Sequence, residues 1–212
     1  VKPPYFDALI ADTKKRFASE ATGHDFAHTY RVYQTALALA KKEGGDEEII
    51  TLAALLHDVD DYKLFANSSF AKTWMDDHKI SPKKQALVVQ IIAEISFKGS
   101  DSKKATTLEG QIVQDADRLD ALGAIGIARA FAYGGAKGRV MYDPKVNPVL
   151  GMSEQDYKNA KGTTVNHFYE KLFLLEELMN TAEGKAIAHA RTLFMKAYLK
   201  EFYAEWKGED LK

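Results

Sequence analysis

The sequence predicts a single-domain, all-helical protein, and three observations carry that expectation. Apolar residues recur mostly at helical spacing, no convincing run of strict alternation appears, and caps, prolines and glycines stand where helices would start and stop. With 212 residues, 46% hydrophobic and 28% charged, the chain is long enough for one large core or two small ones. Residues 1–212 are expected to form one domain, a core over about 20–135 being completed by C-terminal helices over about 163–207.

The elements follow in order. Helices are predicted from about Tyr5 to Ser19, Phe26 to Glu43 and Asp46 to Asp58, with Gly44-Gly45 stopping the second and Asp46 capping the third. Ser68 can open a helix to about His78, and Ser81 followed by Pro82 is a cap plus first-turn proline for a helix to about Ser96. Thr106 with Glu109 matches a capping box. Gln111 to Tyr133, rich in Ala, Leu and Ile, reads as one core helix ending at Gly134-Gly135, and Gly123 and Gly126 permit close packing. From Gly134 to Gly162 the sequence reads as a loop too long for an ordinary connection, of the kind that often covers a site. Two helices finish the chain, about Thr164 to Asn180 and Gly184 to Lys207. The last carries an aromatic stripe of Phe194, Tyr198, Phe202 and Trp206, expected to serve as core or dimer contact.

Composition removes several functional classes. Lys+Arg 29 against Asp+Glu 30 gives a net charge of -1, so no basic field favours nucleic acid, and clusters such as Lys103-Lys104 are short. Cysteine is absent, which excludes disulfides, thiolate nucleophiles and cysteine zinc sites and leaves His, Asp and Glu as metal ligands. No signal-peptide pattern opens the chain and no apolar run approaches the ~18 residues of a membrane span, so a cytoplasmic protein without a membrane partner is expected.

The chemistry concentrates at His57-Asp58, which ends the apolar run Leu52-Ala53-Ala54-Leu55-Leu56. An imidazole and a carboxylate on a buried helix are costly unless satisfied, and a divalent metal would satisfy both. His28 lies near the start of the preceding amphipathic helix. If the two helices pack antiparallel across Gly44-Gly45, the start of one lies beside the end of the other and His28 meets His57-Asp58. Asp117, in Asp115-Ala116-Asp117-Arg118-Leu119-Asp120, would add a second carboxylate. Two nitrogens and two carboxylates suit one divalent ion, Mn first and Mg, Fe, Co or Ni besides, with positions left for water and a phosphate oxygen. Taken singly, His28 also reads as a hydrogen-bonded core histidine, and His57-Asp58 as a helix-terminal histidine beside a solvated Asp.

The order His28, His57-Asp58 after an apolar helix, and Asp117 in an Ala-Asp-Arg setting resembles the HD-domain metal-dependent phosphohydrolase superfamily. Phe26 to Val32, Ala53 to Asp61, Asp115 to Arg129 and Asn166-His167-Phe168-Tyr169-Glu170-Lys171-Leu172 resemble its small bacterial YpgQ and YedJ branch, a similarity running from about residue 20 to 205. The resemblance implies a helical fold with His28, His57, Asp58 and Asp117 as metal ligands. It also implies nucleoside triphosphate pyrophosphohydrolysis, water attacking the α-phosphorus and pyrophosphate leaving. A 5'-nucleotidase or other phosphomonoesterase would use the same metal, a signalling-nucleotide phosphodiesterase would often need a second one, and a non-catalytic nucleotide-binding module would bind without turnover.

Asp61, three residues past the metal-binding Asp58, is the candidate catalytic carboxylate, and Lys63 the candidate neutraliser of phosphate charge. Each reads otherwise as a solvated surface residue. His24 is a candidate substrate contact and Asp25 an N-cap. Arg118, Arg129, His167 and Lys171 are further candidate substrate contacts, Arg118 alternatively pairing with Asp115. Asp60 reads as an outer support of the site or solvent-facing, and Asp115 and Asp120 as structural. The same branch and the aromatic last helix make a homodimer the expected assembly.

Overall fold

The computed structural model describes residues 3–18, 25–61, 65, 68–95, 102, 104–159 and 162–211. It is helical throughout, with no strand among the described residues. The N-terminal half contains α1 (Phe6–Arg16), α2 (Phe26–Glu43), α3 (Glu47–Leu56), α4 (Phe70–Asp77) and α5 (Pro82–Ile95). The second half contains α6 (Leu108–Asp120), α7 (Gly123–Ala136), α8 (Glu154–Asn159), α9 (Thr164–His167), α10 (Leu174–Glu177) and α11 (Ala182–Lys207). A π-helical turn, Phe168–Leu172, joins α9 towards α10.

Local chemistry explains the α2–α3 hairpin on which the site is built. Asp25 Oδ1 accepts the His28 backbone N–H at 2.8 Å and starts α2, satisfying one of the donors every helix leaves open at its first turn. Gly44 ends it at φ 90°, where a side chain would be strained, and Asp46 Oδ1 accepts the N–H of Glu48 at 2.9 Å to begin α3. The turn is short, so α3 returns alongside α2.

That hairpin packs on α6, and α5 closes the far side of α3 and α6. Val32, Ala36 and Leu39 of α2, Leu52, Leu55 and Leu56 of α3, and Ile112, Val113, Ala116 and Leu119 of α6 are all completely buried. This apolar seam removes the middle of the three helices from water, the dominant favourable contribution to folding. It also fixes which helix ends meet. No helix among the described residues is long and apolar enough to cross a membrane.

Three expectations are corrected. The helix expected from Gln111 to Tyr133 is two, because Ala121 and Leu122 turn the chain and Gly123, at φ 72°, passes so close to Arg191 that a Cβ would lie 3.1 Å from its Cγ. Thr107, whose side chain accepts the Gly110 N–H, caps α6, whereas Thr106 pairs with Glu94 and Glu109 accepts the Asp46 N–H. The helix expected from Thr164 to Asn180 is interrupted by the π-turn and ends by Glu177. The aromatic stripe of α11 is partly core contact: Tyr198 and Phe202, half-buried, pack against Phe131, while Phe194 and Trp206 are about half exposed.

Candidate metal centre

The antiparallel hairpin brings the first turn of α2 beside the last turn of α3, and α6 crosses at that end. His28, 1% exposed, points its Nε2 into the junction, 3.5 Å from Asp58 Oδ2 and 3.4 Å from Asp117 Oδ1. His57 Nε2 lies 3.3 Å from Asp58 Oδ2 and 3.9 Å from Asp117 Oδ1. Ligand atoms of His28, His57 and Asp58 all fall within 4.8 Å of one another, and Asp117 approaches both imidazoles from α6. The side chain of Asp117 is 28% exposed and that of Asp58 14%, so the cluster opens to solvent on the carboxylate side.

Ring nitrogens on the far side set the imidazoles' orientation. His57 Nδ1 lies 2.8 Å from the Ala54 carbonyl, which can only accept, so Nδ1 carries a proton and Nε2 is the nitrogen left to face the carboxylates or a metal. That buried Nε2 has no hydrogen-bond partner in the structure, a cost a divalent cation would remove. His28 Nδ1 faces Asp120 Oδ2 at 2.6 Å, the carboxylate–imidazole pairing that commonly stands behind a metal-binding histidine.

Electrostatics point the same way. Burial opposes charging His28, but hydrogen bonds to Asp117, Asp120 and Asp58 outweigh it and raise the imidazole to about 10. Burial likewise opposes charging His57, and the negative charge of Asp58 and Asp117 overcomes it, so this imidazole too is raised. Asp117 is held below the usual carboxylate range despite burial, by its hydrogen bond to His28 and the charge of His57. The cluster thus favours positive charge at its centre, whether carried by protons or by a metal.

Other candidates divide. Asp61 is half-buried in the turn that follows, its N–H donating to the Asp58 carbonyl at 3.1 Å, which keeps the residue beside the cluster. His24 and Lys63 lie outside the described residues. Arg118 is 4% exposed and donates to the Leu178 carbonyl, so it is not brought to the cluster: one residue along a helix turns about 100° away from Asp117. Arg129 donates to Asp120, at 2.9 Å to Oδ2 and 3.2 Å to the carbonyl. His167, on α9, lies near two cations, Lys171 of the π-turn and Arg139; burial, then Lys171 and Arg139, push its imidazole down to about 3, so the ring is neutral. Asp60 neither supports the cluster nor faces solvent alone; it anchors α4, accepting the N–H groups of Phe70 at 2.7 Å and Ala71 at 2.9 Å. Asp115 is structural as expected, but Asp120 stands directly behind His28 together with Arg31. The available signal was spacing: Asp117 and Asp120, three apart on a helix, share a face, as do His28 and Arg31.

Comparison with known proteins identifies the family. Residues 25–122 match the HD domain family model. The uncharacterized protein YpgQ of Bacillus subtilis is 34% identical over 197 residues, covering 90% of this chain and 88% of YpgQ. A crystal structure of a Lactobacillus plantarum protein superposes with a TM-score of 0.89 at 39% identity, covering 98% of this chain and 99% of that one. An HD-superfamily hydrolase from Bacillus thuringiensis does so at 0.74 and 41%, over 95% and 96% of the two chains. Bacillus subtilis YpgQ in complex with ADP gives 0.75 and 33%, over 94% and 97%. This chain belongs to the HD-domain family of metal-dependent phosphohydrolases.

Proposed function

We propose that the chain is a nucleoside triphosphate pyrophosphohydrolase, with His28, His57, Asp58 and Asp117 holding one divalent ion, Mn by preference. The observation that carries the reading is the convergence of these four side chains, with the buried His57 Nε2 facing Asp58 but making no hydrogen bond and the carboxylate side open. The ADP complex of the similar YpgQ supports a nucleotide as the ligand class.

When bound, the metal supplies Lewis acidity towards a phosphoryl oxygen and a lowered pKa for water. The chain's residues do the rest. Asp61, held beside Asp58 by the turn, takes a proton from the attacking water. Water oxygen forms a bond to the α-phosphorus as the bond to the bridging oxygen breaks, so a monophosphate and pyrophosphate are released. Lys63, His24 and Lys171 hold the phosphate charge, which spreads over the transferred group in the transition state, and His167 contacts it as a neutral hydrogen-bonding ring. Exposed Leu193 and Phe194 on α11, 52% and 53% accessible, support assembly as a homodimer.

The test is a Mn-supplemented assay on a nucleotide panel that resolves monophosphate, pyrophosphate and orthophosphate, with Asp58→Ala as control. Triphosphates giving monophosphate and pyrophosphate only with Asp58 intact are expected. Orthophosphate from monophosphates would replace this reading with a 5'-nucleotidase, and binding without turnover would replace it with a regulatory module.

A further inference from the structure

Asp120 ties two other helices to one imidazole of the cluster. Its Oδ2 lies 2.6 Å from His28 Nδ1 on α2, Arg31 of the same helix donates from Nε to Oδ1 at 2.7 Å and from Nη2 to Oδ2 at 2.9 Å, and Arg129 of α7 donates to Oδ2 at 2.9 Å. The residue is 5% exposed, and a carboxylate taken out of water is costly unless neutralised and hydrogen-bonded. Two guanidinium groups do both, and the two-nitrogen fork of Arg31 fixes the carboxylate plane as a single point charge would not, Arg129 adding one nitrogen. Because a carboxylate only accepts, the proton shared with His28 belongs to Nδ1, and the other ring nitrogen is aimed at Asp58 and Asp117.

We infer that Asp120 is a positioning residue for the proposed metal centre, setting the ring orientation and tautomer of His28, and that Arg31 and Arg129 act by holding Asp120. The inference rests on the metal reading of the cluster. It moves Arg129 from the phosphate-binding group to the support of a ligand. A pair of arginines serving only to join α2, α6 and α7 would not affect metal affinity, and an Arg129 that grips substrate would affect KM instead.

The experiment is a Mn2+ titration by calorimetry on the whole protein, Asp120→Asn, Asp120→Glu and Arg129→Gln, each checked for folding by thermal melting. Asp120→Asn is expected to weaken Mn2+ binding roughly 10–100-fold, the range found when the outer partner of a metal-binding histidine is removed. Asp120→Glu should recover part of the loss. Arg129→Gln should weaken binding less, with KM for a nucleoside triphosphate unchanged at saturating Mn2+. Wild-type affinity in Asp120→Asn overturns the inference, as does an Arg129→Gln protein with intact Mn2+ affinity and a raised KM. Should Asp120→Asn not fold, Arg31→Gln decides, weaker binding supporting the inference and unchanged binding overturning it. A wild-type protein that binds no divalent ion overturns the metal reading itself, a result distinct from the others.

Discussion

Asp115 and Asp117 stand two residues apart on α6 and do opposite things. Asp115, fully buried, accepts from the backbone N–H groups of Asn180 and Thr181 and from both of their side chains, at 2.8 to 3.1 Å. Its charge is absorbed by neutral donors that start α11. Asp117 faces two imidazoles across a gap that opens to solvent. Burial therefore does not identify a functional carboxylate. What separates the two is whether the donors around them are complete.

The largest effect that could break this contrast is on turnover. Asp117→Ala should lower kcat for phosphoanhydride hydrolysis roughly a thousandfold, the several kcal/mol a metal contributes to the transition state. Its melting temperature should change far less than that of Asp115→Ala. Steady-state kinetics and thermal melts on the same samples check both halves, and an active Asp117→Ala protein would remove the residue from the site.

Next comes stability. Asp115→Ala strands the donors of Asn180 and Thr181 and should cost on the order of 3 kcal/mol of unfolding free energy, measured by urea denaturation, with Mn2+ affinity little altered. A loss of Mn2+ binding without loss of stability would reverse the assignment of the two residues.

The most diagnostic effect is on pH. His28 is raised from 6.5 to about 10 in the folded, metal-free protein, so the stability it contributes is fully present below about pH 6.5 and is lost as pH rises through about 10. Mn2+ must displace that proton, so its affinity should rise over the same window with proton release in calorimetry. His167 moves the other way, from 6.5 down to about 3, and its burial as a neutral ring costs stability as pH falls below 6.5. Melts of the metal-free protein should therefore fall off on both sides, and His28→Gln should flatten the alkaline side alone.

Much of this was legible in the chain because the signals were local. Asp25, Gly44 and Asp46 mark the α2–α3 hairpin, and the hairpin alone brings His28 to His57-Asp58. The break between α6 and α7 was not legible, since Ala121-Leu122-Gly123 does not announce a turn and the close approaches that accompany it, Gly123 to Arg191 and Gly126 to the Ala121 carbonyl, exist only in the folded chain. Nor was the role of Asp120, 92 residues from the histidine it orients, a contact that exists only once α6 crosses α2. Arg118 misled for a related reason: adjacency to Asp117 in sequence becomes opposite directions on a helix. Asp60 misled because an acidic run at the mouth of a site resembles a helix anchor until α4 is placed on it.

The most direct test of the metal centre is a crystal grown with Mn2+ and an anomalous difference map at the manganese edge. One strong peak is expected, bounded by His28 Nε2, His57 Nε2, Asp58 and Asp117, with Asp120 still behind His28 Nδ1. A Mn-dependent enzyme whose peak lies elsewhere, or whose His28 has turned away from Asp120, would contradict it.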